Sequence, residues 1–237
     1  MYKWMFGRQR TSKLLTCGNL EDSITSTIPK ERMHYRAAVE ILERDNVADR
    51  CIALEYTFLP LTFHHDAAVL LLNDENVFKH VFNKYCSQLE EATNNSFFAR
   101  DKETRLSGWI LGNIAFTEVG RKTLPAKQYG DKVFFTFLLE YVVLVSNNES
   151  MIPQLFDEGS PVLSVLDSVI LILINFSTAG LYIEIYFFIH CINLFTDINK
   201  KYFTEQLLDS LQLILNSKTC PEKLKSGISK ILKNYTL

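Results

Sequence analysis

The chain has 237 residues, 47% of them apolar and 22% charged, with a formal net charge of −2. This composition excludes wholesale disorder, and the near-zero charge supplies no global field for a phosphate backbone, so nucleic acid is not the expected partner. Only 9 Gly and 6 Pro occur, too few for the many tight turns of a sandwich or barrel, which leaves long helices with short connections.

Residues 1–28 carry no sustained periodic pattern and read as a flexible N-terminal arm, or as a short helix packed on the first repeat. Their opening, MYKWMFGRQRTSKLL, has basic residues but no apolar run after them, so export is not expected. From Pro29 onward apolar residues recur at helical spacing, and residues 29–237 read as one helical domain. Val47, Cys51, Leu54 and Phe58 share one face, as do Val77, Val81, Tyr85 and Leu89. The predicted helices are 31–44, 47–58, 64–73, 76–92, 103–116, 131–146, 161–176, 180–197, 204–216 and 221–235. Pro60, Asn94-Asn95-Ser96, Asn147-Asn148, Gly159-Ser160-Pro161 and Thr219-Cys220-Pro221 mark the breaks. Pro161 and Pro221 stand where a first helical turn needs no N–H, and Thr204 stands where an N-cap belongs. Tyr141–Val145 and Val169–Ile174 are β-prone in composition, yet lie in helix-length apolar runs without alternation. No strand is required.

Residues 168–195 carry a single charge, Glu184. Two buried helices broken at Ser177-Thr178-Ala179-Gly180 account for them; the alternative is a small membrane-associated protein anchored by this stretch. The five Cys (Cys17, Cys51, Cys86, Cys191 and Cys220) are odd in number, widely spaced and without a CxxC pair, which predicts reduced thiols in the cytoplasm or nucleus.

Leu111-Gly-Asn113-Ile-Ala-Phe116 recurs faintly as Leu173-Ile-Asn175-Phe-Ser-Thr178, an Asn near the end of an apolar helix followed by a polar turn. Repeated helices that cannot bury their faces alone must stack. Trp109-Ile-Leu111-Gly-Asn113-Ile-Ala115 resembles the last helix of an armadillo repeat, above all the W-x-L-x-N-I-A pattern of the importin-α nuclear-import adaptors. Phe116–Leu124 resembles the loop and first helix of the next repeat. The resemblance implies an all-α, right-handed helical solenoid, here a short array with capping helices. It also implies a concave groove in which Asn bonds the backbone of an extended peptide and Trp stacks on its side chains.

Trp109 and Asn113 are i, i+4 neighbours, so a flat aromatic surface adjoins an amide that both donates and accepts. Such a pair can hold a peptide backbone, with a cation–π face worth ~0.5–2 kcal/mol. Arg105, one turn earlier, adds a cation that repels a basic peptide. The candidate partner-binding residues are therefore Trp109, Asn113, Arg105 and Asn175. The competing readings are a core aromatic for Trp109 and helix-end or inter-repeat bonds for the two Asn.

His64-His65, His80 and His190-Cys191 lack HExxH or CxxC spacing, and no GxxxxGK[ST], GxGxxG or GxSxG motif occurs. No metal, cofactor or catalytic site is expected. An enzyme with an unrecognised site would announce itself as a polar pocket with convergent titratable groups. The terminal helix sets Leu224, Ile228, Ile231 and Tyr235 on one face with lysines around them, as a capping helix requires. The expected function is a non-enzymatic adaptor or scaffold that holds a partner's peptide or helix.

Overall fold

The computed structural model describes residues 34–96, 99, 101–148, 161–177, 202–217 and 220–235. The N-terminal arm 1–28, the predicted helix 180–197, most of the proposed anchor 168–195, and Cys17, His190 and Cys191 lie outside the described residues. Helix occupies 83% of the described residues, so the chain is all-α.

The elements, in order, are α1 (Tyr35–Leu42), α2 (Val47–Ala53), a π-turn (Leu54–Phe58), α3 (Leu59–Leu61), α4 (His65–Asn73) and α5 (Glu75–Asn95). There follow α6 (Lys102–Phe116), α7 (Glu118–Thr123), a 3-10 turn (Leu124–Ala126), β1 (Gln128–Tyr129), β2 (Lys132–Val133) and α8 (Phe134–Asn147). The last are α9 (Pro161–Ser177), α10 (Glu205–Asn216) and α11 (Glu222–Tyr235). Helix starts follow the side chains that satisfy their free N–H groups. Asn46 accepts from Ala48 and Asp49, Asp74 from Asn76 and Val77, Asp101 from Thr104, and Thr204 from Leu207. Tyr141–Val145 and Val169–Ile174 are helical, since burial outweighs their β propensity.

Two elements differ from expectation. A strand pair does occur: Gln128 and Tyr129 pair antiparallel with Lys132 and Val133 around Gly130, whose φ of 56° a side-chain-bearing residue rarely adopts. The predicted helix 131–146 therefore begins at Phe134. Pro60 does not end its helix either, because the π-turn just before it opens the hydrogen-bond ladder where proline has no N–H to give.

Packing follows a simple order. The α2–α3 segment packs on α6, α6 on α9, and α9 on α11, while α1 packs on α5, α5 on α8, and α8 on α10. Each helix of the first series also touches its partner in the second, α5 with α6 and α10 with α11 among them. The α6–α9 crossing is closest at Gly108 and Gly112. A Cβ on Gly108 would collide with Ser168 Oγ and lie 2.5 Å from the Tyr85 ring, and one on Gly112 would lie 2.7 Å from Leu171. Tyr85 and Ser168 share a buried 2.8 Å hydrogen bond at this point. Aromatic rings link the layers: Phe82 meets Phe134, Phe134 and Phe135 meet Phe176, Phe135 meets Phe203, and Phe203 stacks on Tyr235 at 4.1 Å. Among the described residues no helix is long and apolar enough to cross a membrane.

Candidate functional site

Asp101 starts α6, and from there Arg105, Trp109, Asn113 and Phe116 run down one face, all of them half-buried. This face borders the segment Glu55–Thr62. Lys102 Nζ lies 2.6 Å from Glu55 Oε2 at one end, and Asn113 Nδ2 donates to Thr62 Oγ1 at 2.8 Å at the other. Trp109 is therefore neither sealed in the core nor presented freely, and part of the Asn113 amide is committed within the chain.

The strip does not continue onto α9. Leu171 and Asn175, the counterparts of Trp109 and Asn113, are 3% and 2% exposed. Asn175 Nδ2 donates to the Gly112 carbonyl at 2.8 Å. Asn175 is thus an interhelix tie and not a partner contact, because the two glycines of α6 let α9 approach close enough to cover it. The same device recurs in α11, where Asn234 Nδ2 donates to the carbonyl and hydroxyl oxygens of Ser177. Asn113, Asn175 and Asn234 form a ladder in which each amide reaches back to the preceding helix of the series.

A second constellation was not legible in the sequence. Glu103, 1% exposed, accepts from Arg50 Nε at 2.6 Å and from Arg50 Nη2 at 3.1 Å. His80 Nε2 lies 2.9 Å from the same carboxylate and Lys84 Nζ 3.9 Å from it; Lys84 also pairs with Asp101 at 3.4 Å. Arg50 Nη1 donates further to the Arg44 carbonyl. Burial alone would push the Glu103 carboxyl upward, but the hydrogen bonds from His80 and Arg50 and the adjacent positive charges hold it at about 2. An ionised carboxylate only accepts, so His80 Nε2 carries the proton and its Nδ1 is left for another group.

His80 and Lys84 also line a cleft of about 430 Å³, floored by α5 and walled by Val39 and Leu42 of α1, by Glu43 just after it and by Tyr129 of the hairpin. The sequence hid this site because Arg50, His80 and Glu103 lie far apart along the chain, and Glu103 in a first helical turn reads as a surface partner of the helix dipole. The cleft holds the convergent titratable groups that would mark an enzyme, yet its one hydroxyl on α5, Ser87, is spent on the Lys84 carbonyl. Among the described residues no three His, Cys, Asp or Glu side chains converge as a metal site.

Compared with known proteins, the chain matches no family model and no curated sequence.

Proposed function

We propose that the chain is a short armadillo-type helical stack that works as a protein-binding scaffold, non-enzymatic, gripping an extended peptide or a helix of a partner along Arg105, Trp109 and Asn113. The observation that carries this reading is the layered order of the helices. Like packs on like from the α2–α3 segment to α11, an Asn amide bridges successive layers, and α4–α5–α6 is followed by α7–α8–α9 in the same succession of short, long and last helix. Stacked units of this kind bury their core between neighbours and leave long faces open for partners. The groove is short, because α9 covers its own Asn.

The partner is acidic or carbonyl-rich along this strip, since Arg105 repels a basic segment. The test compares the intact chain with Trp109→Ala, the Trp109→Ala/Asn113→Ala double variant and Arg105→Glu. Partner affinity and melting temperature are measured on the same samples. Truncating an anchoring Trp should weaken binding by ~1–4 kcal/mol in protein that remains folded. Arg105→Glu should weaken an acidic ligand and strengthen a basic one. A folded double variant that binds its partner as tightly as the parent would remove the strip from the interface.

A further inference from the structure

We infer that the cleft between α1, α5 and the hairpin is a second, separate binding site, and that its ligand is an extended peptide segment of a partner protein carrying an acidic side chain next to an apolar one. Asn76 and Asn83 of α5 both line it. Two turns of helix separate them, ~10.5 Å along the axis, which matches three residues of extended chain at ~3.3 Å each. Each amide can donate to a peptide carbonyl and accept from a peptide N–H, so the pair fits backbone groups three residues apart, which face the same side when the extended chain takes the three-residue, ~9.3 Å turn of polyproline II. Between them His80 is held in place through Nε2 by the buried Glu103 and makes no other hydrogen bond among the described residues. Its Nδ1 is left for one more backbone group of a peptide.

Charge and shape then select the side chains. Lys84 is already held by Asp101 and Glu103, whereas Lys79, exposed on the same floor, makes no ion pair among the described residues. Lys79 is the counter-charge for one acidic side chain. Val39 and Leu42 offer apolar wall to a neighbouring aliphatic side chain, and Glu43 beside them repels a second acid at that rim. The site stands on α5, which the Arg50–Glu103–His80 network ties to α2 and α6 from beneath, so His80 needs little reordering on binding.

The site is independent of the Trp109 strip, and its test keeps the two apart. The full chain is titrated by fluorescence polarisation against a positional-scanning library of labelled, acetylated and amidated nonapeptides. The expected winner pairs Asp or Glu with Leu, Ile or Val. Its affinity should fall at least tenfold in Lys79→Glu and in Asn83→Ala, persist in Lys79→Arg, and be unmoved by Trp109→Ala. A peptide with Lys in place of the acid should gain in Lys79→Glu. The inference is overturned if no sequence is selected, if the winner binds parent and Lys79→Glu alike, or if Trp109→Ala alone abolishes binding. Lys79 is exposed and Asn83 half-buried, so the Lys79 and Asn83 variants should melt with the parent.

Discussion

Replacing Glu103 with Gln should weaken the fold most at neutral pH and least in acid. Its folded carboxyl sits at about 2 against an ordinary 4.5. A depressed carboxyl contributes stability that is complete above the unfolded value and is lost as pH falls through the folded one. At ~1.4 kcal/mol per pH unit this contribution is about 3.5 kcal/mol at pH 7, of which about 2.5 kcal/mol is gone by pH 2.5. Glu103→Gln removes the contribution and also leaves Arg50, whose side chain is only 16% exposed, without its anion. Breaking one side of such a buried pair costs about 3–5 kcal/mol. Urea unfolding followed by circular dichroism, on parent and variant from pH 7 to pH 2.5, reads the effect directly. Carboxylates remote from this network titrate in both proteins and cancel in the difference. The gap between the two proteins should be largest at pH 7 and narrow by about 2.5 kcal/mol at the acid end. Parallel profiles below pH 5 would mean that the Arg50–Glu103–His80 network does not hold the carboxylate as the geometry indicates.

Gly108→Ala should destabilise by about 1–3 kcal/mol in urea, because the new methyl meets the hydrogen-bonded Tyr85–Ser168 pair; Gly112→Ala should cost less, since it meets the movable tip of Leu171. Asn175→Ala should cost about 1 kcal/mol by removing a buried hydrogen bond between α9 and the Gly112 carbonyl, and Asn113→Ala less, because Thr62 and Asn113 meet at a half-open face. Equal costs for the two would refute the difference in burial. Cys51, Cys86 and Cys220 are unpaired and buried; burial pushes the Cys51 thiol up to about 12 and the Cys220 thiol up to about 11, and raises that of Cys86. All three should resist a thiol reagent at pH 8 until urea unfolds the chain.

Most helix positions were decided locally and could be read from the residues. The repeat of Val77, Val81, Tyr85 and Leu89 specifies one buried face, Thr204 supplies an acceptor for a free N–H, and scarcity of Gly and Pro leaves few breaks. These are interactions within a turn or two of helix, which spacing encodes. The Trp109–Asn113 pair was equally visible as i, i+4 neighbours. What spacing cannot encode is which face another element will cover. Asn113 and Asn175 look alike in sequence, and only the approach of α9 over Gly108 and Gly112 buries one while leaving the other half-open. The π-turn that carries Pro60, and the hairpin at Gly130, likewise depend on backbone accommodations that apolar periodicity does not report. Glu103 is the clearest case. Its neighbours in the chain make it a surface acid at a helix start, but the packing of α2, α5 and α6 removes it from water, and a carboxylate so placed stays ionised only because that same packing delivers Arg50 and His80 to it.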